Sequence, residues 1–98
     1  MKDLIGKTVE WNNAGHYTKT GLVIAEVPVL KDVREVIRAA GMETTPIRTH
    51  QWRDALMGAR YKEIGSIRST NPRCLVLVNG RHLYAPRQSD IRKGRVIE

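Results

Sequence analysis

Ninety-eight residues, a net charge of +7, 41% hydrophobic side chains and only 5% aromatic ones, with no phenylalanine, describe one small domain (1–98) with a modest core. No apolar run nears the roughly 18 residues needed to cross a bilayer, and Met1–Glu10 lacks the apolar stretch of a signal peptide. Cys74 is the only cysteine, which excludes an intrachain disulfide and fits a reducing cytoplasm.

In chain order, Gly6–Trp11 alternates Val9 and Trp11 with Thr8 and Glu10, the period of a half-buried strand. Asn12–Gly21, rich in Asn, Gly and Thr, reads as a loop or long hairpin turn. Leu22–Val27 is a β-branched run stopped by Pro28, with apolar residues on both alternating faces, as in a strand covered on both sides. Val33, Val36, Ile37 and Ala40 then recur at helical spacing, with Asp32 at the entry and Gly41 placed to cap the exit. Pro46 breaks the next loop. A second, shorter helix is expected from Thr49 or His50, with Trp52, Ala55, Leu56 and Ala59 on one face and Gly58 weakening it. Residues 31–63 thus read as a helical insertion between strands.

The β pattern returns at Arg73–Val78. Asn79-Gly80 is a strong hairpin signal, and Arg81–Ala85 forms the return strand. A two-residue turn sets Val78 opposite Arg81, Val76 opposite Leu83 and Leu75 opposite Tyr84. One face then holds Cys74, Val76, Val78, Leu83 and Ala85; the other holds Arg73, Leu75, Leu77, His82 and Tyr84, and needs a cover. Pro86 ends the pairing, Arg87–Lys93 suits one tight helical turn, and Arg95–Glu98 a last short strand. This order predicts a mainly-β or α+β domain, an SH3-like five-stranded barrel with the insertion between strands 2 and 3.

The run just before the insertion, "GLVIAEVPV", and the closing "RCLVLVNGRHLYAPRQSDIRK" together resemble a group of small phage and prophage proteins with SH3-like barrels. The shared closing pattern is carried by Leu75, Val76, Val78, Leu83, Tyr84, Pro86, Arg87, Ser89, Ile91 and Arg92, and Ala85 departs from it where an aromatic is often found. The resemblance covers about a third of the chain. It implies that fold and a phage setting, hence the host cell cytosol, and it brings no activity with it.

Chemistry points away from an enzyme. His16, His50 and His82 are scattered, with none at ligand spacing from Cys74 or from one another, so no metal site or cofactor is expected. No nucleophile elbow surrounds Ser66, Ser69 or Ser89, and residues 64–98 contain only Asp90 and Glu98 as acids. Charge is the stronger signal. Residues 1–30 balance three basic against three acidic groups, residues 31–63 hold seven against five, and residues 64–98 hold seven against two. Arginine pairs bidentately with phosphate, which makes an anionic ligand, nucleic acid or nucleotide, the expected partner. The candidate binding residues are Arg73, Arg81, His82, Tyr84, Arg87 and Arg92, completed by Lys19 and Tyr17 from the first loop, with the aromatic rings as stacking faces. The bland alternative is a basic surface that serves solubility. The expected function is a non-catalytic phage accessory protein that binds nucleic acid, or that sequesters a nucleotide immune messenger to counter host defence. The runner-up is a module that blocks or recruits a host protein through the insertion, and the apolar helix faces also allow a homodimer.

Overall fold

A computed structural model describes residues 2–13, 17–47, 68 and 70–97. After a single 3-10 turn at Lys2–Leu4 come five strands and two helices. The strands are β1 (Thr8–Asn13), β2 (Tyr17–Val27), β3 (Arg73–Val78), β4 (His82–Tyr84) and β5 (Arg95–Val96). The helices are α1 (Val33–Ala39), between β2 and β3, and α2 (Gln88–Lys93), between β4 and β5. All these strands lie in one antiparallel sheet in the order β4-β3-β2-β1-β5. The domain is therefore mainly β with two short helices among the described residues. None of those helices is long and apolar enough to cross a membrane. The second predicted helix, with Trp52 and Leu56, lies outside the described residues.

Each face of the sheet carries its own core, because a strand sends alternate side chains to opposite sides. On one face Leu75, Leu83, Val27 and Ala85 pack against Val33, Val36 and Ile37 of α1 and against Ile47. On the other, Val9, Trp11, Val23, Cys74, Val76, Val78 and Tyr84 pack against Ile91 of α2. Strand β2 serves both cores. Its register against β3 shifts between Val23 and Ala25, so Val23 joins the second core and Val27 the first. That bulge is the physical form of the two-sided apolar pattern in Leu22–Val27, although Leu22 itself remains 38% exposed.

The caps of α1 follow the sequence closely. The Asp32 carboxylate accepts from the Arg34 amide at 3.0 Å, satisfying one of the free amides of the first turn. Gly41 takes a left-handed φ of +72°, its amide donates to the Arg38 carbonyl, and the Met42 amide donates to that of Ile37. This pair of bonds closes the last turn. The chain then returns along the outer edge of β4, where the Leu83 amide donates to the Pro46 carbonyl at 2.9 Å and Ile47 bridges Leu83. An edge strand that would otherwise be open to pairing is covered.

Two expectations are corrected. Asn12–Gly21 is expected from sequence as a loop or long hairpin turn; its described residues are strand, with Asn12 and Asn13 ending β1 and residues 17–21 opening β2, and they pair Asn12 with Thr18, Trp11 with Lys19 and Glu10 with Thr20. The exposed Thr18 and Thr20 are polar β-formers that extend the ladder without burying apolar area. The β3–β4 hairpin is also one residue longer at its turn. Asn79 and Gly80 have φ of +56° and +66°, and the Arg81 amide donates to the Val78 carbonyl, as a tight turn requires. The ladder nevertheless resumes only at His82, which faces Val78, so Leu83 faces Leu77 and Tyr84 faces Val76. A slip of one residue exchanges the faces. Tyr84 moves into the core with Cys74, Val76 and Val78, while Leu83 and Ala85 join Leu75 beneath α1.

Candidate anion-binding surface

The arginines that crowd together in sequence separate in space. Arg73 opens β3 and is buried, with 4% of its surface exposed. Its Nη1 donates to the Ala85 carbonyl at 2.7 Å, and its own carbonyl accepts from Gln88 Nε2 at 3.0 Å. Burial first, and then the nearby Arg87 charge, lowers its pKa below the ordinary arginine value. Arg73 therefore ties the exit of β4 to the start of α2 from inside. It leaves the set of surface contacts expected from the sequence.

Arg81 sits at the opposite end of the hairpin. Five steps of about 3.3 Å along β3 put it roughly 17 Å away along the strand. Arg87 stands at the exposed N-cap position of α2, without a side-chain capping bond, and bridges Arg73 across the backbone. Arg92, in the last turn of α2, lies 3.9 Å from Asp3, with both side chains well exposed. The exposed Arg95 on β5 donates from Nε to Glu10 Oε1 at 2.9 Å. Exposed Lys93 completes the group. From Arg87 to Ile97 the chain thus presents Arg87, Arg92, Lys93 and Arg95 against the single carboxylate of Asp90.

The aromatic part of the expected site is built differently. Tyr84 is only 6% exposed. Trp11 meets its ring edge-on, with centroids 6.0 Å apart at 73°. Lys19 Nζ stands over the same ring, 5.7 Å from its centroid. The structure does bring Lys19 and Tyr84 together, but in a packed cation–π contact that leaves Tyr84 no open face for a base. His82, half-buried, follows the turn and faces Val78. Tyr17 pairs with Asn13 through the backbone, and its side chain lies outside the described residues.

Beside this contact a recess of about 230 Å³ lies between β1 and α2, lined by Glu10, Trp11, Asn12, Thr18, Asp90, Lys93 and Gly94. The Trp11 indole N–H is buried and finds no acceptor among the described residues. Sequence reasoning missed this recess because it depends on the pairing of a two-residue β5 with β1, which places Gly94 directly against the Glu10 carbonyl. Cys74 is fully buried, and burial pushes its thiol up to about 12, against a smaller opposing effect from Arg73. At neutral pH it is a protonated core residue and no nucleophile.

Comparison with known proteins finds no matching family model, no similar curated protein and no similar solved structure.

Proposed function

We propose that the protein is a non-catalytic, phage-type accessory module that binds the phosphate backbone of nucleic acid in the host cytosol. The observation carrying this reading is the exposed group of Arg87, Arg92, Lys93 and Arg95 on α2 and β5, four cations set against Asp90 and the two carboxylates, Asp3 and Glu10, that pair with Arg92 and Arg95. Arg81 adds a further cation at the hairpin tip. Contacts from such a rim to phosphates recognise charge and spacing and carry no sequence information. Nucleic acid is favoured over a sequestered nucleotide because the adjacent recess sets the carboxylates of Glu10 and Asp90 beside a single lining cation, Lys93, and so offers a phosphate no cluster of cations. The buried Tyr84 points the same way: contact through phosphates needs no stacking face.

An SH3-like barrel is part of the same proposal. In its favour are the strand order β4-β3-β2-β1-β5, the short helix before the last strand, and the meeting of Trp11 and Tyr84. Those two residues belong to strands separated by β2 and β3. Flat strands set about 4.8 Å apart would hold them on the order of 14 Å apart, and curling of the sheet shortens that span.

The test is fluorescence anisotropy with labelled single- and double-stranded DNA and RNA at low salt. Replacing Arg87, Lys93 and Arg95 by Gln should weaken binding to every sequence at least tenfold and flatten its salt dependence. Unchanged binding by that triple variant would refute the assignment.

A further inference from the structure

The turn joining β2 to α1 is built against the backbone preference of its own sequence. The Lys31 amide donates to the Pro28 carbonyl at 3.1 Å, and between them Leu30 adopts a φ of +64°. Glycine normally fills such a position, and a bulky branched side chain there is a genuine outlier. Among the described residues the strain serves no burial: Leu30 is 55% exposed and Val29 is 50% exposed. Arg68 Nη1 donates to the Leu30 carbonyl at 3.0 Å and so fixes the turn from outside. The result is a held aliphatic knob with Lys31 and Arg68 at its base. Strained backbone that persists beside a surface feature points to a use for that feature.

Directly beside the knob runs a groove of about 610 Å³ between β2 and α1, floored by Ile24, Ala25, Val36 and Ala39. Its walls carry the carboxylates of Glu26 and Glu35, the latter in an ion pair with Lys31 at 2.8 Å. Lys31 holds the Glu35 carboxyl below its ordinary pKa, so it stays ionised at neutral pH. Lys31 lines the groove too, so among its described lining residues Glu26 is the carboxylate outside an ion pair. The groove suits an apolar group with a cation at its base.

We propose that the groove receives the Val29–Leu30 knob of a second copy of this chain, forming a weak two-fold dimer. Knob and groove adjoin on one face, as an isologous interface requires: each protomer gives its knob and receives its partner's. One charge contact is available as well, since Arg68 at the base of each knob can meet Glu26 on the wall of the other groove. The interface lies on the α1 side of the sheet, whereas α2 packs on the other side through Ile91. Dimerisation therefore leaves both cationic rims free. The proposal does not depend on the nucleic-acid reading.

Sedimentation velocity of the full chain from about 5 to 500 µM reads the equilibrium directly. Wild type should pass from monomer to dimer across that range. Leu30→Gly is the decisive variant, because glycine relieves the strained φ while deleting the knob. It should stay monomeric throughout, with a thermal midpoint at the dilute end no lower than that of wild type. Ala39→Arg, placed one turn after Glu35 where the pair supports the helix, should fill the groove and also abolish the dimer. A wild type that remains monomeric to the top of the range would overturn the proposal. So would a dimer that survives in both variants, which would place the interface elsewhere.

Discussion

Replacing Arg73 separates a structural arginine from a binding one. In Arg73→Met the aliphatic stem stays packed while the guanidinium is removed. The loss is the 2.7 Å charge-assisted bond to the Ala85 carbonyl, which is left in a buried segment with its acceptor unsatisfied. Hydrogen bonds to charged groups contribute about 1.5–3 kcal/mol. Removing the desolvated charge beside Arg87 returns part of that. A net destabilisation of about 2 kcal/mol follows, or roughly 8–16 °C in Tm for a domain near 100 residues. Urea unfolding followed by tryptophan fluorescence measures it, since Trp11 is buried against Tyr84. Nucleic-acid affinity, measured at a temperature where the variant is fully folded, should stay within twofold of wild type. Unchanged stability together with tenfold weaker binding would return Arg73 to the binding surface.

Three further outcomes follow from packing and ionisation. Gly94→Ala would set a methyl group against the Glu10 carbonyl and 3.1 Å from the Trp11 Cα, so it should cost about 1–3 kcal/mol in denaturant melts and loosen β5 from β1. Ile37→Ala, at a fully buried position in the core beneath α1, should cost about 2–5 kcal/mol by the same assay. The Cys74 thiol ionises near pH 9 in the unfolded chain but near 12 in the folded one, so the folded state holds its proton longer. Its contribution to stability is full below pH 9 and declines above it, by up to about 1.4 kcal/mol per pH unit. Cys74→Ala should remove that part of the alkaline slope, seen as the difference between the two proteins' stability profiles.

What was legible in the sequence was what local chemistry decides. Asp32 and Gly41 bracket α1 because side-chain capping and a left-handed residue act within a few positions of the helix end. Asn79-Gly80 marks its turn for the same reason. The misreadings share a different cause. The face of Tyr84 hangs on a single extra turn residue, Arg81, that propensities do not register. Thr18 and Thr20 entered a strand because β1 offered a partner ladder, which composition does not reveal. Arg73 has the same residue type as Arg81 and Arg87, and only the tertiary position of the Ala85 carbonyl makes it an internal tie. The candidate surface was visible as charge; its division between two ends of a hairpin was not, because strand length converts neighbours in sequence into distant points.

Phosphate binding by the α2–β5 rim makes affinity depend on salt. Its most direct test is the affinity of the wild-type protein for a duplex of arbitrary sequence as a function of salt. Engagement of three or four phosphates predicts a slope of log K against log salt of about −3, hence a fall of roughly a hundredfold between 50 and 200 mM. The same slope should be found whatever the sequence. Binding too weak to detect at the lowest salt, or an affinity that salt leaves unchanged, would contradict the account.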